Sequence, residues 1–292
     1  MQLAILRLGI ADPLRSLGWL ACAFLVLLSG GCQPAGREAT GRGTAGAESA
    51  PVGEVAPANP LLDTDHPPIR ARESVGELPA ELVIFETVFW EPRDTDSLRQ
   101  LIATTPLVRD REVLEIGTGS GLIALCCLHA GASRVVATDV NPNALANARY
   151  NAQRLRLESR LETRLVPLDD RTATAVLKPD ERFDVIISNP PWEDESPRKI
   201  DEYALYDERF VLLDSILRAL PERLKPGGRA LLAYGHRPAV ERILWLASQL
   251  DLRTQILDDR SLDQLPRDFL PGMLIEVRLA ELPSIQSKGS RL

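Results

Sequence analysis

Short runs of aliphatic and β-branched residues alternate with longer amphipathic segments over most of the chain from residue 111 onward. The short runs have the length and composition of buried strands, and the segments between them have apolar residues at helical spacing. Because strands separated by helices form right-handed βαβ units, the sequence predicts an α/β fold with a mostly parallel sheet. The pattern predicts strands at 113–116, 134–138, 161–168, 183–188, 229–234 and 274–279, and helices at 121–130, 142–154, 203–220 and 238–250.

Residues 1–32 have a different pattern, which is typical of a targeting segment. Two arginines precede an apolar stretch at 17–28, and small residues lead up to Cys32. This arrangement describes a secretory signal, and the apolar stretch is too short for a comfortable membrane span. The run 28–32 resembles a bacterial lipobox, which predicts a lipoprotein anchored to a membrane through an acylated Cys32. The alternative is a cytoplasmic protein whose start has been placed too far upstream.

Composition divides the rest of the chain. Residues 33–62 are rich in Ala, Gly, Pro, Glu and Thr and lack periodicity, which indicates a disordered linker. We expect residues 63–110 to form a lead-in, residues 111–282 to form the folded domain, and residues 283–292 to form a flexible tail.

Charge and cysteine content exclude some classes of function. The formal net charge is −7. Proteins that bind nucleic acid usually carry a basic domain or stripe, so a large nucleic-acid partner is disfavoured. The four cysteines and three histidines show no ligand-like spacing, and we predict no metal site.

A glycine-rich run at residues 115–121 begins in the predicted strand at 113–116 and leads into the next predicted helix. Glycines let the backbone approach a ligand closely. Leu122 stands where a dinucleotide fingerprint has its last glycine, which argues against NAD or FAD. Asp139, followed by Val140, ends the next strand about twenty residues later, where a carboxylate can accept both hydroxyls of a ribose. The run reads Glu115-Ile116-Gly117-Thr118-Gly119-Ser120-Gly121.

The most specific run is Asn189-Pro190-Pro191-Trp192, which follows the predicted strand at 183–188. Two prolines fix the backbone and remove two N–H donors, so that carbonyl acceptors stand beside the amide oxygen of Asn189. Such acceptors can hold an NH2 group by both hydrogens, and Trp192 offers a flat face for stacking on a planar group. We interpret this run as a clamp for a planar nitrogen.

Together these residues resemble the class I S-adenosylmethionine-dependent methyltransferases, and among them the release-factor glutamine methyltransferases related to HemK. Residues 91–96, Glu-Pro-Arg-Asp-Thr-Asp, are similar to that family's Pro-Arg-x-[Asp-Thr-Glu] segment. The likeness covers about residues 81–279. It implies that residues 111–282 form a Rossmann-like methyltransferase domain, with a mostly parallel seven-stranded sheet and helices on both faces, and that S-adenosyl-L-methionine is the cofactor.

The resemblance also implies roles for individual residues. One of Asp169 and Asp170 would contact the adenine amino group, and the run 189–192 would form the catalytic clamp. The residues implied to bind the cofactor are Glu115, Gly117, Thr118, Gly119, Ser120, Gly121, Asp139, Val140, Asp169, Asp170 and Asn189.

The implied reaction is methyl transfer to an amide or amino nitrogen, with a protein glutamine as acceptor and a peptide chain release factor as the corresponding partner. Two features differ from the family: Tyr is usual where Trp192 stands, and the family's helical N-terminal domain is replaced by the signal-like segment and linker. One alternative is an N6-adenine methyltransferase on rRNA, tRNA or DNA, because the clamp suits a flipped base equally well. Another is a catalytically inactive, membrane-tethered binding module.

Overall fold

The computed structural model describes residues 66–262 and 272–280. All of them belong to one compact unit. The signal-like segment with Cys32, the linker at 33–62 and the tail at 283–292 lie outside the described residues. Within the described ranges, no helix has the length and apolar character that crossing a membrane requires.

Nine strands and five α-helices make up the described fold, together with short 3₁₀ turns. The strands are β1 (Ile69–Glu73), β2 (Leu82–Phe85), β3 (Glu112–Ile116), β4 (Arg134–Asp139), β5 (Leu161–Leu165), β6 (Phe183–Ser188), β7 (Leu224–Tyr234), β8 (Leu252–Ile256) and β9 (Met273–Leu279). The helices are α1 (Asp96–Thr104), α2 (Leu122–His129), α3 (Pro142–Leu155), α4 (Val211–Arg223) and α5 (Arg237–Gln249).

Seven strands form one sheet in the order β5-β4-β3-β6-β7-β9-β8. The strands from β3 to β7 pair in parallel, and β9 runs antiparallel to both β7 and β8. The chain builds outward from β3 to β5 on one side and then returns to place β6 on the other side of β3. The predicted α/β class with a mostly parallel seven-stranded sheet is therefore confirmed.

Helices cover both faces of the sheet. Successive side chains along a strand point to opposite faces, so each buried strand contributes to both sides. In β3, Val113 belongs to the apolar cluster that contains residues of α1, α2 and α3, whereas Leu114 belongs to the cluster that contains residues of α4 and α5. Alternate residues of the buried strands thus supply two separate cores. The continuous apolar runs in the sequence reflect this burial on both sides.

The described part of the lead-in, residues 66–110, packs with the domain that follows it. The hairpin β1–β2 and α1, none of which the sequence pattern predicted, contribute buried side chains to the same apolar cluster as α2. Asn147 and Asn151 on α3 are fully buried and bind the backbone of β2, as a neighbouring strand would. Strand β8 was also missed by the pattern.

The helix predicted at 203–220 begins later than expected, at Val211. Arg209 and Phe210 have positive φ angles of 56° and 55°, which breaks any helix that would run through them. The buried carboxylate of Asp207 then accepts hydrogen bonds from the backbone N–H groups of Leu212 and Leu213, at 2.9 and 3.0 Å. An acidic cap therefore starts α4, and the preceding residues form irregular structure and a 3₁₀ turn at Ile200–Ala204.

Candidate active site

A deep cavity lies at the carboxyl ends of β3, β4 and β6, where the strand order reverses. Its volume is roughly 1270 Å³ when the part open to solvent is included. That volume is sufficient for a nucleoside-sized ligand together with an acceptor side chain. The walls come from six places: the glycine-rich run with the start of α2, the end of β4 with the start of α3, the segment after β5, the run that follows β6, the segment before α4 with the start of that helix, and the segment between β2 and α1.

The glycine-rich run is folded tightly against β4. The N–H groups of Gly117 and Thr118 both donate to the carbonyl of Thr138, at 2.9 and 3.0 Å. Gly117 and Gly119 have φ angles of 77° and 53°, a conformation that favours glycine. The cavity lining includes Gly117, Thr118, Gly119 and Ser120.

Gly121 has a different role from the rest of the run. A Cβ atom there would lie 2.8 Å from the Cα of Ala148 on α3, and the φ angle is 85°. Gly121 therefore allows α2 and α3 to pack closely, and it is not among the residues that line the cavity.

Glu115 is buried in the cavity wall. Burial raises its pKa to about 8, although the hydroxyl of Thr118, which donates to Oε2 at 2.6 Å, works in the opposite direction. The side chain is therefore mostly uncharged at neutral pH.

Asp139 has its carboxylate oriented by backbone amides. The N–H of Gly119 donates to Oδ2 at 2.9 Å, and the N–H of Asn141 donates to Oδ1 at 2.8 Å. Burial raises the pKa of Asp139, and these amides oppose the increase. Because each carboxylate oxygen has more than one lone pair, both remain able to accept a hydroxyl of a ribose. Asp139 and Val140 both line the cavity.

The run after β6 presents acceptors to the same cavity. Asn189, Pro190 and Pro191 line it, and the Oδ1 atom of Asn189 is buried without a hydrogen-bond partner. A buried acceptor without a donor costs about 1–3 kcal/mol, so this position favours a ligand that brings an N–H group. The arrangement fits the predicted clamp.

Trp192 lies elsewhere than its predicted stacking role requires. It is partly buried against the apolar cluster of α4 and α5, and it is not among the cavity-lining residues. Its backbone N–H donates to the carbonyl of Leu205 at 3.2 Å, which ties the chain after the clamp to the segment before α4. The aromatic side chains in the lining are instead Phe89, Trp90, Tyr203 and Tyr206.

These four aromatic residues were missed by the sequence reasoning. Tyr203 and Tyr206 fell at the start of a predicted helix, and their place opposite the clamp depends on the irregular segment before α4. Phe89 and Trp90 immediately precede the Pro-Arg segment at 91–96. Their position next to that segment is the one sequence feature that could have predicted a place in the cavity wall.

The acidic pair after β5 does not reach the cavity. Asp169 and Asp170 are exposed, and Oδ1 of Asp170 accepts hydrogen bonds from the N–H and hydroxyl of Thr172. The residues after β5 that do line the cavity are Val166, Arg171, Thr172 and Ala173. The guanidinium of Arg171 lies over the ring of Tyr203, 5.3 Å from its centroid. The adenine contact assigned to this pair stays a prediction.

Comparisons with known proteins find methyltransferases among the relatives of this chain. The chain is 37% identical over 181 residues to the release factor glutamine methyltransferase of Cereibacter sphaeroides, which covers 56% of this chain and 63% of that protein. It is 35% identical over 150 residues to a protein from Methanocaldococcus jannaschii that is provisionally named as a protein N5-glutamine methyltransferase. The aligned residues are 48% of this chain and 68% of that protein. The chain thus spans less than two thirds of the length of the first relative.

A solved structure of a methyltransferase complexed with SAH has the same fold. The TM-score is 0.50 at 13% sequence identity, and the match covers 67% of this chain and 53% of the other. The profile of the methyltransferase small domain family matches residues 87–250, which include the glycine-rich run, Asp139 and the clamp. Because that match covers more than half of the 292 residues, the chain belongs to the methyltransferase small domain family.

Proposed function

We propose that this protein is an S-adenosylmethionine-dependent N-methyltransferase that acts on the side-chain nitrogen of a protein glutamine. The observation that carries the proposal is the unpartnered, buried Oδ1 atom of Asn189 in a cavity that also contains the glycine-rich run and Asp139. A glutamine amide brings two N–H donors and a planar group, which is the chemistry that such a site accommodates.

The cofactor fits the wall formed by β3 and β4. Gly117, Gly119 and Ser120 would line the binding site of its amino-acid portion, and Asp139 would accept the ribose hydroxyls. S-adenosyl-L-methionine is a cation at sulfur and supplies an electrophilic methyl group. The carboxylates that line the cavity suit this positive charge, since Arg171 is the only basic residue among the described residues of the lining.

The protein's own contribution to the reaction is alignment. The Asn189 amide oxygen and a carbonyl of the clamp would accept the two hydrogens of the acceptor NH2 group and hold its nitrogen toward the methyl donor. Holding two reactants in this way can be worth several powers of ten in rate without a strong base. The acceptor oxygens also stabilise the positive charge that develops on nitrogen.

Charge favours a protein acceptor over a nucleic acid. Glu91, Asp201 and Asp207 line the cavity, and exposed Asp194 and Glu195 follow the clamp. A phosphate backbone approaching the cavity would meet these carboxylates, and the basic groups that would release its counterions are limited in the described lining to Arg171, with exposed Arg198 and Lys199 further along the chain. The names of both relatives described above, which refer to glutamine methylation, support the same acceptor class. A peptide chain release factor is therefore the first protein acceptor to test.

The test uses the full chain, labelled cofactor, a release factor and a peptide that contains a single glutamine. We expect mass spectrometry to find one added methyl group on the glutamine side chain. Asn189→Ala should lower kcat at least about a hundredfold, because its oxygen acts as charge develops. Gln153→Ala, which changes an exposed amide side chain on α3 outside the cavity lining, is the matched control. Labelling of adenine in RNA, with none in protein, would replace this proposal with the adenine alternative.

We also propose that Cys32 is acylated and tethers the enzyme to a membrane, which follows from the lipobox-like run alone. The full chain should then sediment with membranes and incorporate labelled fatty acid, and Cys32→Ser should abolish both. A soluble, unlabelled wild-type chain would support the cytoplasmic alternative with a misplaced start.

A further inference from the structure

The clamp at Asn189–Trp192 is held to the rest of the domain at its far end. Pro190 and Pro191 have no N–H groups, so they donate no hydrogen bonds to neighbouring backbone. The next two N–H groups, those of Trp192 and Glu193, both donate to the carbonyl of Leu205, at 3.2 and 3.1 Å. The position of the clamp therefore depends on contacts made at Trp192.

One of those contacts comes from the neighbouring strand of the sheet. His236 follows the carboxyl end of β7 and precedes α5, and its Nδ1 atom lies 2.8 Å from the backbone carbonyl oxygen of Trp192. A carbonyl oxygen can only accept, so Nδ1 carries the proton and donates. This bond joins the end of the clamp to the segment between β7 and α5.

We infer that His236 is a positioning residue for methyl transfer, which rests on the proposed function of the clamp. His236 is not among the residues that line the cavity, so its effect passes through the backbone of Trp192. The two prolines have φ fixed by their rings, which leaves fewer backbone torsions between Asn189 and Trp192 to absorb a displacement of the Trp192 carbonyl. Losing the bond would misalign the acceptor amide with the methyl group.

The first measurement separates positioning from binding. In His236→Ala, kcat for the glutamine acceptor should fall about tenfold to a hundredfold, the size of effect produced by small misplacements. The KM for the cofactor should change less than about twofold, because the glycine-rich run and Asp139 are untouched. His236→Asn should restore most of kcat, since its Nδ2 atom takes the place of Nδ1. His236→Gln extends the same amide past that place and should not restore it.

The second measurement needs no acceptor. Hydrogen exchange at the amides of Trp192 and Glu193 should become about fivefold faster in His236→Ala, which corresponds to the loss of one ordinary hydrogen bond. His236→Asn should return the exchange rate to that of the wild type. His129→Asn is the matched control, because His129 is exposed at the end of α2, away from the clamp.

The two measurements test the proposed glutamine methylation and the positioning role of His236 independently. If the wild type does not methylate glutamine, the proposed function fails, and exchange at Trp192 and Glu193 still decides whether His236 holds the clamp. If the wild type is active and His236→Ala keeps full kcat, the positioning role is overturned, whatever the exchange shows. Equal exchange rates in His236→Ala and wild type would overturn it as well.

Discussion

Single buried residues in the cavity wall set how the protein responds to pH. Glu115, with a pKa of about 8, keeps its proton in the folded protein, whereas the unfolded chain loses it near the ordinary value of 4.5. The folded state therefore binds more protons between these values, so the free energy of unfolding falls as pH rises through that window. Below the window Glu115 is protonated in both states and makes no difference.

Glu115→Gln should remove this part of the pH dependence, because the amide keeps the shape of the protonated acid and still accepts from Thr118. Between about pH 5 and about pH 8, the variant should lose less stability than the wild type, by an amount on the order of a few kcal/mol. Denaturant unfolding at both pH values measures the difference, with exposed Glu158→Gln as control. Parallel stability curves for wild type and Glu115→Gln would show that Glu115 is ionised in the fold.

The aspartates near the cavity should differ in their effect on the cofactor. Asp139→Ala removes the acceptor proposed for the ribose hydroxyls and should weaken cofactor binding about tenfold to a hundredfold. Asp170→Ala is the matched control, because that side chain is exposed and outside the cavity lining. Titration calorimetry measures both affinities. A larger loss in Asp170→Ala than in Asp139→Ala would return the adenine role to Asp170 and remove the ribose role from Asp139.

At the scale of elements, α3 holds the β1–β2 hairpin against the domain through buried amides. Asn147 accepts from the N–H of Phe85 at 2.9 Å and donates to the carbonyl of Val83 at 2.7 Å. Asn147→Ala leaves both buried backbone groups without this partner and should lower the free energy of unfolding by about 2–4 kcal/mol. Gln153→Ala, which changes an exposed amide side chain on the same helix, should change it by about 0.5 kcal/mol or less. Urea unfolding that gave equal losses would contradict this account.

The elements also show how far the sequence predicts this fold. The buried strands β3, β4 and β6 were located within a residue or two, because burial on both faces leaves continuous apolar runs. The hairpin β1–β2 could not be found in this way, since its β2 strand is held by asparagines on α3 that are about sixty residues distant in sequence.

The cavity itself was partly predictable for the same physical reason. Gly117, Asp139 and Asn189 stand at strand ends, where the topology alone brings them together. The place of Trp192 could not be predicted, because it depends on how the residues after the clamp fold back onto Leu205. The irregular segment before α4 also places Tyr203 and Tyr206 in the cavity wall, where Trp192 was expected.

For the whole molecule, charge should decide which polymers reach the cavity. The formal net charge is −7, and apart from the protonated Glu115 the described lining carries four carboxyl side chains against the single Arg171. At low ionic strength, tRNA should not inhibit methylation of a glutamine peptide, because polyanions are repelled from this surface. Polylysine should inhibit, and added salt should relieve that inhibition as screening shortens the range of the attraction. Uncharged dextran of similar length controls for crowding. Inhibition by tRNA that salt relieves would mean that a basic surface outside the cavity recruits nucleic acid, and the acceptor class would then have to be reconsidered.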